Sequence, residues 1–295
     1  MGSKNLHNNL QGYAFMAPAM LVIGVFTLLP IIFAFLMMFC KVDLMAGSWK
    51  FIGLDNAGKI FSDVKFWHAF WNTTRYVVVV VPTQTILAMI LAVLLNNKVK
   101  FQRGFATLLF IPSLTSSAAM TLIFMWLFNN NSGLITQFIN NLTGQEYKFL
   151  SDPQLALGVI MAMNIFSTIP SFMVVFLAGL QDIGEEIYEA AAIDGCGQVR
   201  KFISITMPQL MPVTFYVVTM GIIGCFQIFD QAFILSGGDG GPQNSTLTFT
   251  LYIYQLAFNS SDMGRASMIA FILAIIIFSV SHGIDKVFNA DKVNG

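Results

Sequence analysis

The chain has 295 residues, of which 56% are hydrophobic, 14% aromatic and only 10% charged, and its mean hydropathy is +0.71. Soluble domains carry about a quarter charged residues, so this composition excludes a soluble domain and implies a protein whose surface mostly faces lipid. The formal net charge is zero, which gives no reason to expect nucleic acid or another polyanion as a partner.

A spanning helix needs about 20 mainly apolar residues. Six stretches qualify: Tyr13–Phe39, Phe70–Leu95, Phe105–Phe128, Leu155–Leu180, Pro212–Leu235 and Met263–Phe288. The first is too long for a signal-peptide core and lacks a clear small-residue cleavage site, so it is expected to be a retained span. Backbone groups in lipid must be satisfied internally, and these apolar runs are continuous rather than alternating. Helices are therefore expected, not a barrel. The expected fold is all-α and polytopic, with six transmembrane helices.

Lys and Arg in short loops set the orientation. Lys98, Lys100 and Arg103 lie between spans two and three, Arg200 and Lys201 between four and five, Lys286 and Lys292 in the tail, and Lys4 at the start. With six spans all of these share one side, so both termini are expected in the cytoplasm. The first outside loop opposes this with Lys41, Lys50, Lys59 and Lys65, but it is longer and weighs less. Within that loop, Ile52, Asn56, Lys59, Ile60 and Asp63 fit a short helix resting on the membrane surface. The third outside loop, Ser236 to Asp262, is glycine-rich and holds no Lys or Arg.

Nothing in the chain forms a nucleophile–base set, an HExxH or CxxC pattern, or paired carboxylates in a span. Cys40, Cys196 and Cys225 have no metal-ligand spacing and read as small apolar fillers. Transport, which needs a path rather than bond chemistry, fits better. Polar residues inside spans are the path candidates: Asn164, Ser167, Thr168 and Ser171 around Pro170, and Gln227, Asp230 and Gln231 with Phe226 and Phe229 between them. Thr83, Gln84 and Thr85 beside Pro82 are a third group. Amides, hydroxyls and aromatic faces suit a neutral, hydroxyl-rich solute. The competing reading is that these groups join helix to helix, and Asp230 leaves open an ion-coupled carrier.

Glu185 to Pro208, EEIYEAAAIDGCGQVRKFISITMP, is a charged island between two spans and must lie in water. Before Gly195 it reads as a helix, acidic at its start and rich in alanine. After Gly195, Val199, Phe202, Ile203 and Thr206 follow the spacing of one helix face, and Pro208 is expected to end that helix.

Glu189-Ala190-Ala191, Gly195, Ile205 and Pro208 fit the spacing EAA, three residues, G, nine residues, I-x-L-P, with Met207 in place of leucine. The segment resembles the signature of the membrane subunits of ATP-binding cassette (ABC) importers. Phe51-Ile52-Gly53-Leu54-Asp55-Asn56, Phe70-x-Asn72-Thr73, Arg103-Gly104, and Gly240-Gly241-Pro242 with Thr248 and Tyr254 extend the likeness to sugar permeases of the maltose type, over nearly the whole chain.

The resemblance implies a type I ABC importer permease fold: residues 1–69 as tail, first span and first outside loop, a permease core over 70–288 with a cytoplasmic coupling loop at 184–211, and a tail at 289–295. It implies a second homologous permease as heterodimer partner, two ATPase subunits, an extracytoplasmic solute-binding protein and a sugar, all in a bacterial plasma membrane. Glu189, Ala190, Ala191, Asp194, Gly195, Ile205 and Pro208 would dock on the ATPase. The regions Asn164–Ser171 and Gly221–Gln227, with Gly224, Phe226, Gln227 and Asp230, would line the sugar path. No cofactor is expected on this chain, which has no Gly-Lys-Ser/Thr loop; ATP and Mg would be used by the partner ATPase.

Overall fold

The computed structural model describes residues 13, 15–43, 47–96 and 102–293. Lys4, Lys98 and Lys100, used above for orientation, lie outside the described residues. The elements are α1 (Phe15–Met37), a two-stranded antiparallel ribbon β1 (Cys40–Asp43) and β2 (Ser48–Phe51), α2 (Asp55–Phe61) and α3 (Val64–Asn96). Then come α4 (Gln102–Leu114), α5 (Ser117–Leu127), α6 (Leu134–Thr143), α7 (Ala156–Gln181), α8 (Glu185–Ile193) and α9 (Gln198–Lys201). The last four are α10 (Met211–Phe226), α11 (Asp230–Ser236), α12 (Phe249–Tyr254) and α13 (Met263–Val293). Among the described residues the ribbon is the one departure from an all-helical layout. The short helix expected in the first loop is α2, but it leaves out Ile52 and Asp63 and buries Asn56 and Ile60 in the bundle instead of resting on the membrane surface.

Five of the expected spans appear as helices long and apolar enough to cross a membrane: α1, α3, α7, the run Met211–Ser236 that carries α10 and α11, and α13. The remaining one is sharply bent. The expected third span is a pair, α4 and α5, bent by 100°. Thr115 closes a turn on the Pro112 carbonyl, and Ser116 adopts an extended conformation (φ −60°, ψ 145°) while its hydroxyl caps α5 by accepting from Ala119 N. An N-cap takes the chain off the helical path by definition. Within the fifth span, Gln227–Phe229 leave the helical ladder between α10 and α11.

Buried side chains fall into two clusters that fix helix directions. One joins Phe66, Tyr76 and Val80 of α3 to Leu157 and Ile160 of α7, Ile222 and Phe226 of α10, and Ile269 of α13. The other joins Ala88, Ala92 and Leu95 of α3 to Met173, Phe176 and Leu180 of α7, and Leu210 and Val217. Early residues of α3 meet early residues of α7, so the two run parallel and α10 runs against them. The chain between α3 and α7 must therefore return across the bundle, and the bent pair α4–α5 makes that crossing. In lipid such clusters gain from close packing rather than from leaving water. The small Ala88 and Ala92 suit close approach of α3 and α7. None of the apolar stretch of α1 is buried within this chain.

Candidate functional site: a cavity between broken helices and a hinged hairpin

The two breaks converge. A cavity of about 260 Å³ is lined by Pro112, Ser113, Thr115 and Ser117 from the α4–α5 elbow, by Ser167, Thr168 and Ser171 from α7, and by Gln231 of α11. A neighbouring cavity of about 280 Å³ shares Ser117 and Gln231 and adds Asn164, Gly224, Gln227 and Asp230. Irregular backbone at membrane depth is tolerated where it lines such a space. Ser117 Oγ and Asn164 Oδ1 are both buried atoms without a hydrogen-bond partner. A buried polar atom left unpaired costs about 1–3 kcal/mol.

Of the path residues expected from sequence, Asn164, Ser167, Thr168, Ser171, Gly224, Gln227 and Asp230 all line these cavities. Phe226 does not: it is 4% exposed and packs in the first cluster with Ile222 and Cys225. Gly221 also turns away, toward Val81 and Gln84 of α3. The elbow residues Ser113, Thr115 and Ser117 were not among the sequence candidates, although the run Pro112-Ser113-Leu114-Thr115-Ser116-Ser117 is a visible polar interruption of an apolar span.

Of the third sequence group, Thr83 and Thr85 serve their own helix, donating to the Val79 and Val81 carbonyls at 2.7 Å beside Pro82. Gln84, 1% exposed, bridges helices instead. Thr168 Oγ1 lies 2.8 Å from both Gln84 Oε1 and the Asn164 carbonyl, yet it carries one proton. Turning the Gln84 amide over resolves the conflict: its NH₂ then donates to Thr168, and Thr168 donates to Asn164 O. The result is a polar tie from α3 to the backbone of α7 behind the cavity wall.

Beyond the other end of α7 the charged island forms a hairpin. α8 covers Glu185–Ile193, as its composition predicted, with Glu185 and Glu186 in the first turn. Its end is closed by two bonds, Cys196 N to Ala191 O at 2.9 Å and Gly195 N to Ala192 O at 3.1 Å, with Gly195 at φ +72°. This is a Schellman closure, which needs a left-handed residue right after the cap. It explains the spacing of Ala191 and Gly195: the alanine carbonyl receives the residue after the glycine. The second arm does not present one continuous face. A π-helical turn at Phe202–Thr206 adds a residue to the turn, so Phe202 and Thr206 face inward while Val199 and Ile203 face out. Pro208 does not stop the arm, which continues through Gln209.

The arms are tied by Tyr188 OH with Thr206 Oγ1 at 2.9 Å and by Lys201 Nζ donating to Tyr188 O at 3.2 Å. Glu189, Ala190, Asp194, Gly195 and Pro208 are exposed, Ile205 is half-buried and Ala191 is buried. Ile193, 87% exposed, Val199, 74%, and Ile203, 61%, add an apolar surface that the motif residues alone did not indicate. Both roots of the hairpin, Ile183 and Leu210, are embedded in the second cluster.

The family pattern described as "Binding-protein-dependent transport system inner membrane component" matches residues 84–286, from Gln84 through the cavity and the hairpin into α13. The chain belongs to this family. It is a multi-pass membrane transport component. The permease is 35% identical to the "Probable ABC transporter permease protein YesP" of Bacillus subtilis (strain 168), over 92% of this chain and 87% of the relative. It is 33% identical to the "Lactose transport system permease protein LacF" of Rhizobium radiobacter, over 92% of each. In three dimensions it is similar to a chain of a bacterial alginate ABC transporter in complex with an alginate pentasaccharide-bound periplasmic protein. That match has a TM-score of 0.83 and 17% identity, and covers 95% of the permease and 94% of that chain. A second structure of a bacterial ABC transporter, involved in import of the acidic polysaccharide alginate, matches with a TM-score of 0.77 at 18% identity, covering 97% of the permease and 98% of that chain. At these identities the two structures speak to the fold.

Proposed function

We propose that this permease is one of two homologous subunits forming the path of an ATP-driven sugar importer, with two ATPase subunits below and a solute-binding protein above. Both termini would then be cytoplasmic, and ATP and Mg would be handled by the ATPases. The observation that carries this reading is the hairpin. It is a self-contained element in water whose outer surface exposes Ile193, Val199 and Ile203 beside Glu189 and Asp194. Burying one such side chain against a partner stabilises the contact by about 1.5–3 kcal/mol. Because Ile183 and Leu210 anchor both arms in the cluster of α3, α7 and α10, a shift of the hairpin by a docked ATPase would move those helices. Alternating access follows: ATP-driven closure of the ATPases brings the hairpins together and opens the path outward, and hydrolysis resets it. The sugar assignment, with a di- or oligosaccharide as the expected solute, is supported by the hydroxyl- and amide-lined cavity and by the sugar transport named for LacF.

Gly195→Asp in the complete complex tests the docking role. A side chain at φ +72° is strained and adds charge to the docking surface. The expected outcome is normal membrane insertion and assembly with sugar uptake reduced at least about tenfold, while ATP hydrolysis persists uncoupled. Wild-type uptake in this variant overturns docking through the hairpin.

A further inference from the structure

Charge, rather than hydrogen-bonding capacity, sets the cavity apart. Its walls carry hydroxyls and amides from the elbow, α7 and α11, and one ionisable side chain, Asp230. Among the described residues no Lys, Arg or His lines either space, and Asp230 makes no salt bridge. Asp230 is exposed to the cavity beside exposed Gln227, with Gly224 opening the wall between them.

We propose that Asp230 makes this wall an anion-rejecting filter, so that the permease accepts neutral or cationic sugars and turns away carboxylated, sulfated or phosphorylated ones. This rests on the cavity being part of the sugar path. A carboxylate facing a narrow cleft with low-dielectric walls focuses its field into the cleft, raising the local concentration of cations and lowering that of anions. The amides and hydroxyls around it do the reverse of discriminating: each donates and accepts, and so bonds a sugar hydroxyl in either sense. Ser117 and Asn164 line the same space as the acid. The combination differs from what an acidic polymer would need, which is a wall of fixed cations.

The test reads the filter without knowing the sugar. In the complete complex, Cys40→Ser, Cys196→Ser and Cys225→Ala give a background to which Gln227→Cys is added. Modification of this chain by methanethiosulfonate reagents with an ammonium or a sulfonate head is timed by mass spectrometry. Asn141→Cys, exposed on α6 and away from the hairpin, is the control for intrinsic reactivity. The expected cation-to-anion rate ratio at position 227 exceeds the control by about tenfold. Asp230→Asn brings it down to the control, and Asp230→Glu retains it. A ratio at 227 no higher than the control, or one unchanged by Asp230→Asn, overturns the filter. If Asp230→Asn does not assemble, the comparison of positions 227 and 141 in the unmutated wall still decides. Sugar uptake is measured separately: if uptake fails while the ratio stands, the sugar reading falls and the charge selection does not.

Discussion

The two ends of the bundle are held together in different ways. At the end carrying β1–β2, α2 and the segment from Ser236 to Asp262, bonds reach across the whole chain. Asn72 Nδ2 donates to the carbonyls of Asn244 at 2.7 Å and Leu247 at 3.0 Å, 172 and 175 residues away. Phe249 N donates to Thr73 Oγ1, and the Tyr252 hydroxyl donates to Asp63. Burial first, and the bond to Asp63 second, hold that phenol well above the usual tyrosine range. Asn56, 3% exposed, donates to the Met38 and Cys40 carbonyls and so fixes where α1 ends. At the opposite end the hairpin's side-chain bonds stay within itself, between residues 13 to 18 apart. One end is a frame braced by distant segments. The other is a compact unit rooted at two points, which can be displaced without breaking its own bonds. A transporter needs both, since movement imposed at one end must meet resistance at the other.

The largest effect is expected where the frame is tightest. At Gly264, in the first turn of α13, an added Cβ would overlap the Cys40 carbonyl and come within 2.9 Å of Asn56 Nδ2. Backbone cannot step aside as a side-chain end can, so Gly264→Ala is expected to cost about 3 kcal/mol, the upper part of the overpacking range. The check is the thermal unfolding midpoint of the purified complex, followed by tryptophan fluorescence. An unshifted midpoint would mean that the frame is looser than its hydrogen bonds suggest.

Asn72→Ala is the next in size. It removes both donated bonds and leaves the Asn244 and Leu247 carbonyls without that donor, a loss of about 2 kcal/mol. Accelerated protease cleavage near Asn244 should accompany the lower midpoint. If cleavage is unchanged, Thr73 and Tyr252 alone are enough to hold the segment.

How far each region could be read from sequence follows from this difference. The hairpin was largely legible, because a Schellman closure ties a glycine to a fixed distance from the helix, and the bounds of α8 follow from its own composition. The role of Asn72-Thr73 was not, because their partners lie across the chain. Nor were the breaks at Ser116 and Gln227–Phe229. Hydropathy is averaged over a span, and single hydroxyls are tolerated in helices because they bond back to the preceding turn, as Thr83 and Thr85 do. Phe226 entered the path as an aromatic face within the region Gly221–Gln227 that the resemblance implied, but its ring turns into the core beside Ile222 and Cys225, a side that hydropathy along the span does not reveal. Val199, Phe202, Ile203 and Thr206 fitted one α-helical face until the π turn changed the register.

The smallest predicted effect is the most discriminating. Tyr188→Phe removes only the hydroxyl that meets Thr206 Oγ1 and keeps the ring packed at the second cluster. A single neutral hydrogen bond is worth about 1 kcal/mol net. If the hairpin is a separate unit, that loss loosens one arm against the other and leaves the frame intact. The unfolding midpoint should stay close to wild type while sugar uptake per ATP hydrolysed falls by about two- to fivefold, the factor that about 1 kcal/mol gives. A drop in midpoint comparable to that of Asn72→Ala would show that the hairpin is braced into the frame. Movement could not then be confined to one end, and the contrast between the two ends would fail.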